Sequence, residues 1–360
     1  MPDTNRRLDF LVPIYNEGES VVKTLLDSIA LQRSVDLSQV GVIICCDGGT
    51  TELSNEFINS YPFEIEFHMC EHRGVSATRN ECLDRSKAEY CIFADCDDCL
   101  MDCRGLYLVF REMDMEPNAK ELTLMGVPQD KWESGFDFLV CDFVEETKDP
   151  KTDGMIYVTH PGLQNFTFIH SQLFRRQWLI DNELRFNPAL STHEDSFLIV
   201  LCRETVKPWR AKHCSFSWYL WAWRTASICR HDPKYILKTY NCMLDSSDAV
   251  VDELTRRMLP DHAKRYAATM MFDAFYTLNK QEWIDSTNAE YRDAVERRFT
   301  QYYRKHRSKY ESLTSQEKAV ISSGVRNRSV MEGMLLEALT IDQWLERILE
   351  KYPEETQDIA

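Results

Sequence analysis

Residues 8–94 alternate between short apolar runs and segments whose apolar side chains recur at helical spacing, and this alternation limits the fold more than any other feature. The apolar runs predict buried strands at 8–14, 40–46, 63–69 and 90–94. The segments between them predict helices at 19–31, 51–60 and 76–86. Strands that alternate with helices over short links form βαβ units, so we expect an α/β fold with a Rossmann-like, mostly parallel sheet flanked by helices.

Polar residues follow each of the four predicted strands. They are Asn16 and Glu17, then Asp47, then His72 to Gly74, and finally Asp95 to Asp98. Because ligands of open α/β sheets bind beyond the carboxyl ends of the strands, we expect these residues to lie together at one edge of the sheet. That edge is where a functional site is predicted.

The remainder of the chain changes character twice. Residues 101–235 are less regular, with strands predicted at 136–143, 155–159 and 214–224 and helices at 171–182 and 193–203. From about residue 235 the sequence is highly charged, helical in pattern and free of glycine as far as Gly324. Since one core seldom exceeds roughly 250 residues, we predict an α/β domain at 1–235, with halves at 1–100 and 101–235, and an all-helical domain at 236–360.

Charge and cysteine content exclude some classes of protein. The formal net charge of −16 argues against non-specific binding of nucleic acid, which needs a large basic surface. The sequence shows no N-terminal signal pattern and no apolar run of about 18 residues, so we expect no transmembrane segment. Several of the 13 cysteines fall in apolar runs, which favours reduced thiols and a cytoplasmic location over a disulfide framework.

The stretch 91–103, CIFADCDDCLMDC, mixes two kinds of metal ligand. Cys96 and Cys99 form half of a zinc-type site, but no second pair with matching spacing follows, so free thiols are favoured. Asp95, Asp97 and Asp98 leave the end of a strand together, and such like charges are costly unless a cation neutralises them. Mg²⁺ and Mn²⁺ prefer oxygen ligands and often bridge to phosphates. A solvated acidic turn remains the alternative.

An ordered series of short motifs covers about residues 8–230. They are PIYNE at 13–17, CDGGTTE at 46–52, GVSATRN at 74–80, ADCDD at 94–98, RF at 185–186, ED at 194–195 and WRTASI at 223–228. Together they resemble glycosyltransferase family 2, whose members have the GT-A fold. Two positions depart from the family pattern, because Cys46 and Thr51 stand where aspartates are usual. Residues 235–360 carry no family motif.

The resemblance implies a nucleotide-sugar donor, usually a UDP-sugar, and assigns residues to it. Asp47 would accept the imide N–H of uracil, Tyr15 would stack on the base, and Arg79 would reach the base or the diphosphate. By themselves, Tyr15 would be read as an ordinary packing residue and Gly74 as a turn glycine. The residues expected to contact the donor are Pro13, Tyr15, Glu17, Asp47, Gly74, Arg79, Asp95, Arg224 and Ser227.

The same resemblance implies a metal site and a general base. Asp97 would hold Mn²⁺ or Mg²⁺, with Asp95 and Asp98 as further ligands, and the ion would stabilise the departing nucleoside diphosphate. Asp195 would take the proton of the acceptor hydroxyl in an inverting displacement, with Glu194 as its neighbour. Without the family, the two acids would be read as complementing a helix dipole. His170 could line the acceptor side, complete the metal shell or be structural.

We therefore predict a metal-dependent inverting hexosyltransferase, with UDP-glucose as the default donor. The acceptor would be a hydroxyl group of a glycan or surface polysaccharide, or a hydroxymethylated DNA base, since residues 170–176 and 223–230 are similar to phage-encoded family members. The location would be the cytoplasm of a bacterium or a phage-infected bacterium. The C-terminal helices could cover the acceptor, form a homodimer contact or bind an acceptor polymer.

Two other functions stay open at this point. A GT-A-like binding pseudoenzyme is disfavoured because Asp95, Asp97 and Asp195 are all present. A metal-dependent nucleotidyltransferase is disfavoured because Glu17 and Glu19, directly after the first strand, would repel a triphosphate.

Overall fold

The structure is a computed structural model of the chain, and it describes residues 6–149, 151–164, 167–224, 235–329 and 339–353. The chain divides into two compact units, residues 1–227 and residues 228–360. The first unit contains one mixed sheet with helices, and the second contains helices.

The strands of the first unit follow the predicted order closely in its N-terminal part. They are β1 (Leu8–Ile14), β2 (Val40–Asp47), β3 (Glu64–Cys70), β4 (Tyr90–Phe93), β5 (Cys99–Leu100), β6 (Phe138–Lys148), β7 (Met155–His160), β8 (Gln172–Arg175) and β9 (Ala211–Trp221). Its helices are α1 (Glu19–Ala30), α2 (Asn55–Ile58), α3 (Val75–Arg85), α4 (Gly105–Met113), α5 (Ala119–Leu124), α6 (Arg176–Asp181) and α7 (Glu194–Thr205). The predicted α/β fold class is confirmed.

The sheet has a parallel half and a mixed half. Its order is β3-β2-β1-β4-β8-β6-β9-β5, with β7 paired to β6 off this path. The strands β3, β2, β1 and β4 are parallel, as expected from the βαβ pattern. Beyond them β8 runs antiparallel to β4 and to β6, while β6 and β9 run parallel to each other. The antiparallel joint at β8 brings the second half of the unit beside the carboxyl end of β4.

The core of the parallel half follows from strand and helix periodicity. Every residue of β2 is buried, as a strand covered on both faces requires. Helix α1 buries Val22, Leu25, Leu26 and Ile29, which recur at helical spacing on one stripe. Each such buried side chain stabilises the fold by roughly 1.5–3 kcal/mol. This core fixes the loops that follow β1, β2 and β4.

Two helix predictions differ from the structure. Residues 172–175, expected to begin a helix, form strand β8, because they pair with β4 on one side and β6 on the other. The predicted helix at 51–60 shortens to α2, which begins after Ser54, whose hydroxyl accepts the Phe57 N–H. Strand pairing outweighs the local helical preference at β8, and a local cap sets the start of α2.

The second unit is helical in the part of it that the structure describes. Its helices are α8 (Tyr235–Lys238), α9 (Tyr240–Arg256), α10 (Pro260–Leu278), α11 (Gln281–Ser286), α12 (Ala289–Glu311), α13 (Ser315–Ser329) and α14 (Ile341–Lys351). Helices α9, α10 and α12 pack on one another around buried aromatic residues that include Trp283, Tyr302 and Tyr310. Among the described residues, none of the helices has the length and apolar character needed to cross a membrane.

Candidate active site

The site is centred on Arg79, a buried arginine of α3 that binds three carboxylates. Its Nη1 donates to Glu194 Oε1 at 2.7 Å and to Asp195 Oδ1 at 3.0 Å. Its Nη2 donates to Asp95 Oδ1 at 3.1 Å. Arg79 is only 5% exposed, and its guanidinium lies over the Phe186 ring. The guanidinium therefore joins the end of β4 to the start of α7. In this structure its two terminal nitrogens bind carboxylates, whereas the family resemblance implied that they contact the donor.

The two acids of the ED motif begin α7. They occupy its first turn, where carboxylates are favoured by the helix dipole. The residue before them, His193, adopts a left-handed conformation with φ 59°, which turns the chain into the helix. Burial raises the pKa of Asp195 to about 8, with the charges of Glu194 and Asp95 acting in the same direction and Arg79 opposing them. A carboxyl group with this pKa exchanges its proton near neutral pH, as a general base does.

The aspartates after β4 differ in their surroundings. Asp98 is 1% exposed and accepts hydrogen bonds from Tyr219 Oη at 2.6 Å and from the Ala222 N–H at 3.0 Å. Burial, followed by the charges of Asp95 and Asp97, raises its pKa well above the usual range. Asp97 instead pairs with Arg224, whose Nη1 lies 3.1 Å from its Oδ2. Burial and the charge of Asp95 raise the pKa of Asp97, and Arg224 opposes this.

A divalent cation fits this group of side chains. Ligand atoms of Asp95, Asp98 and His170 all lie within 4.8 Å of one another. The carboxylates at this edge outnumber the two arginines that contact them, and burial, followed by the charges of neighbouring aspartates, raises the pKa values of Asp97 and Asp98. A bound cation would balance this negative charge. Two carboxylates and an imidazole are suitable ligands for Mn²⁺ or Mg²⁺.

The sequence leaves three roles open for His170, and the structure places it beside the aspartates that follow β4. Its ring stacks against Tyr219 and Trp221, with centroids 5.6 Å and 5.0 Å away, and its Nδ1 lies 3.6 Å from Asp98 Oδ2. Tyr219, which binds Asp98, was not singled out as a site residue at all. Both come from the mixed half of the sheet, whose pairing with β4 has no motif in the sequence.

The residues expected at the nucleobase lie at the ends of β1 and β2. Tyr15 is 47% exposed, and its N–H donates to Glu17 Oε2 at 2.7 Å. Pro13 lies in β1 beyond the point where its ladder with β4 ends. Asp47 is buried, and its two carboxylate oxygens accept the N–H groups of Arg73 and Gly74. The structure therefore brings Asp47 and Gly74 together, with Asp47 holding the loop that contains Gly74.

Gly74 itself has a backbone conformation that favours glycine. Its φ is 88°, in the region that L side chains rarely adopt, and it directly precedes α3. Ser227, the last residue assigned to the donor, lies outside the described residues. Its partner in the motif, Arg224, is described and contacts Asp97, with Glu17 3.9 Å away.

The cysteines of the 91–103 stretch have separate environments. Cys96 is buried, Cys99 is half-buried and Cys103 is exposed. Within the described ranges, the groups of side chains that could hold a metal contain carboxylates and histidines. One such group lies in the second unit, at Asp248, Asp252 and His306, but Lys305 lies within 3 Å of both aspartates.

Comparisons with known proteins concern the family and the fold of the chain. The family model described as glycosyl transferase family 2 matches residues 9–178. A curated poly(ribitol-phosphate) beta-glucosyltransferase of Bacillus spizizenii is 30% identical over 97 residues, which are 26% of this chain and 15% of that protein. The match therefore spans less than a sixth of the relative's length.

Solved structures share the fold at low sequence identity. The crystal structure of S. aureus TarS 1–349 in complex with UDP has a TM-score of 0.53 at 15% identity and covers 89% of this chain and 92% of its own. The crystal structure of S. aureus TarS has a TM-score of 0.50 at 14% identity and covers 88% of this chain and 55% of its own. At these identities the similarity concerns the fold.

Proposed function

Residues 9–178 form a glycosyltransferase family 2 domain with a GT-A fold, and from this we propose that the chain transfers a sugar from a nucleotide sugar to a hydroxyl acceptor. The observation that carries the proposal is the Arg79 cluster. The guanidinium of Arg79 donates one hydrogen bond to Asp95, at the end of the donor half, and another to Asp195, the candidate base. Donor and acid–base chemistry thus meet at the edge of the sheet where ligands bind.

Divalent metal chemistry is part of the proposal. Asp95, Asp98 and His170 would hold Mn²⁺ or Mg²⁺. The neighbouring Asp97 forms an ion pair with Arg224. When bound, the ion supplies positive charge that stabilises the nucleoside diphosphate leaving group. Arg224 adds a planar cation at the same side of the site, suited to phosphate oxygens.

The acid–base step belongs to Asp195. Its deprotonated carboxylate accepts the proton of the acceptor hydroxyl while that oxygen attacks the anomeric carbon, and the bond to the nucleoside diphosphate breaks. A single displacement of this kind inverts the anomeric configuration. Arg79 orients the Asp195 carboxylate and balances its charge, and Glu194 shares the same guanidinium. This supports an inverting transferase over a binding protein without turnover.

The acceptor is proposed from the curated relative. That relative's name specifies a ribitol-phosphate polymer and a glucosyl group, so we propose UDP-glucose as donor and a hydroxyl group of a cell-surface polyol-phosphate or glycan as acceptor. A hydroxymethylated DNA base has no supporting observation in the fold or the comparisons. It serves here as a comparison acceptor.

The test measures nucleotide release from a panel of nucleotide sugars with Mn²⁺ or Mg²⁺. Each donor is tested with a ribitol-phosphate polymer, with a neutral glycan and with DNA that contains 5-hydroxymethylpyrimidines, and the product is checked for a new β-linked sugar. We expect UDP release that depends on the polymer or glycan and is lost in Asp195→Asn. Release of pyrophosphate would indicate a nucleotidyltransferase, and UDP binding without transfer to any acceptor would indicate a binding protein.

A further inference from the structure

We propose that His72 recognises the nucleobase of the donor, and that the group it recognises is the ring N–H of uracil. This inference rests on the proposed function, because it names the base specificity of the same donor site. His72 follows β3, at the carboxyl edge of the parallel half, and its side chain is 65% exposed. It belongs to the polar residues His72 to Gly74 that follow the third predicted strand.

The two residues at the end of β2 are buried and bind the backbone of neighbouring loops. Cys46 stands where the family has an aspartate, and it is fully buried with its Sγ donating to the Tyr15 carbonyl at 3.2 Å. Asp47 is 6% exposed, and it binds the backbone of the loop after β3, because Oδ1 accepts the Arg73 N–H at 2.8 Å and Oδ2 accepts the Gly74 N–H at 3.0 Å. The side chain next to Asp47 that is exposed at this edge, His72, is therefore the better placed acceptor for uracil.

His72 offers such an acceptor because of how its other nitrogen is bound. Its Nδ1 lies 2.9 Å from the Asp47 carbonyl oxygen and 3.0 Å from Asp47 Oδ2. Both partners are acceptors, so the hydrogen of the neutral ring must be on Nδ1. Nε2 then carries a lone pair, and no described residue donates a hydrogen bond to it. Asp47 thus contributes to base recognition indirectly, because its oxygens hold the His72 hydrogen on Nδ1 and leave Nε2 as an acceptor.

Tyr15 provides a stacking surface next to this lone pair. The Tyr15 and His72 rings lie 5.2 Å apart at 37°, and both are exposed at the same edge. Gly48 makes the approach of His72 feasible, since a Cβ there would lie 2.6 Å from the His72 Cβ, and its φ is 73°. A base stacked on Tyr15 would have its edge beside an imidazole acceptor.

The chemistry of the bases then predicts the specificity. Uracil carries a donor, N3–H, and can donate it to Nε2. Cytosine has an unprotonated N3, which is an acceptor and would face another acceptor. Guanine carries a ring N–H at N1 and shares the donor chemistry of uracil on a larger ring, so the experiment must separate the two.

The experiment measures nucleotide affinity by calorimetry at about pH 8. UDP, CDP, GDP and N3-methyl-UDP are titrated into the wild type and into His72→Phe, which keeps an aromatic ring and removes the acceptor. His262→Phe, in α10, is the matched control. We expect the wild type to bind UDP about 5–10-fold more tightly than N3-methyl-UDP or CDP, the usual effect of one hydrogen bond. In His72→Phe these differences should fall to about 2-fold or less.

The outcomes separate the inference from the proposed function. If UDP binds and the wild type does not discriminate against N3-methyl-UDP, the His72 inference is overturned while the transferase proposal stands, and this comparison does not depend on any variant folding. If discrimination persists in His72→Phe, another acceptor reads the base and the inference is again overturned. Tighter binding of GDP than UDP would overturn the assignment to uracil. If no nucleotide binds, the proposed function fails and the inference fails with it.

Discussion

Asp195 carries the chemical step in the proposed mechanism, and it can be tested without changing the shape of the site. Asparagine has nearly the same size as aspartate but cannot accept a proton at neutral pH. We therefore expect Asp195→Asn to lower single-turnover transfer by roughly 10²–10⁴-fold, the usual effect of losing a positioned base, while UDP binding measured by calorimetry persists. Loss of UDP binding with an intact chemical step would mean that the donor and acceptor roles are assigned the wrong way round.

The environment of Asp195 also predicts a pH dependence. Its pKa is raised to about 8 by burial, and the charge of Glu194 contributes in the same direction. Because the base must be deprotonated, kcat/KM should rise with pH through this raised pKa, well above the range of an ordinary carboxyl group. Glu194→Gln removes a negative neighbour, which favours the ionised form of Asp195. The acid limb of the profile should then shift to lower pH.

A substitution that removes no charge serves as the control for the pH profile of Glu194→Gln. Cys99→Ser, at a half-buried thiol without a charge, should leave the acid limb where the wild type has it. An acid limb that does not move in Glu194→Gln would show that a group other than Asp195 controls the rate.

The metal prediction concerns the aspartates rather than the cysteines. We expect Asp97→Ala to abolish transfer and to weaken UDP binding in Mn²⁺, because the change removes a carboxylate beside the cation site. Without Mn²⁺ the loss should be smaller, since Arg224, released from Asp97, can still contact the diphosphate. Calorimetric titration of UDP with and without Mn²⁺ measures this difference. Cys99→Ser should retain both binding and transfer. Stoichiometric zinc that disappears with Cys99→Ser would reverse the assignment.

At the scale of elements, the loop after β2 shows how backbone spacing supports the donor edge. A Cβ on Gly49 would lie 1.6 Å from the Tyr15 carbonyl oxygen, whereas a Cβ on Gly18 would meet nothing within 4 Å. We expect Gly49→Ala to lower the free energy of unfolding by about 1–3 kcal/mol and to weaken UDP binding, because the loops after β1 and β2 must separate. Gly18→Ala should change stability by at most about 1 kcal/mol. Urea unfolding and calorimetry measure both effects, and equal stability of the two variants would contradict the argument.

The same edge shows how far the sequence predicts this molecule. The strands of the parallel half could be read from apolar runs, because β1, β2 and β4 are almost entirely buried and each strand agrees with its predicted run to within one residue at either end. Strand β3, at the edge of the sheet, is less buried. The contacts of Asp47 and Arg79 could not be read from the sequence, because a motif predicts where a side chain lies but not which groups it binds. Asp47 binds the loop at Arg73 and Gly74, and Arg79 binds carboxylates. Strand β8 was missed because its pairing partners, β4 and β6, are distant in sequence.

At the scale of the whole molecule, each of the two units has its own buried core. In the first unit it is formed by the sheet and its helices, and in the second by aromatic residues such as Trp283, Tyr302 and Tyr310. The candidate donor residues that the structure describes all belong to the first unit. A ligand stabilises only the folded unit that binds it, by RT ln(1 + [L]/Kd), or about 2.7 kcal/mol at a hundred times Kd.

We therefore expect two thermal transitions in calorimetry, of which UDP with Mn²⁺ raises only one. Hydrogen exchange then assigns the stabilised transition to residues 6–224, with amides of α9, α10 and α12 unchanged. Asp195→Asn, which keeps donor binding, should show the same shift as the wild type, so the result does not depend on turnover. A single transition that moves as a whole would show that the helical unit unfolds together with the sheet, and its stability would then depend on the donor as strongly as that of the site itself.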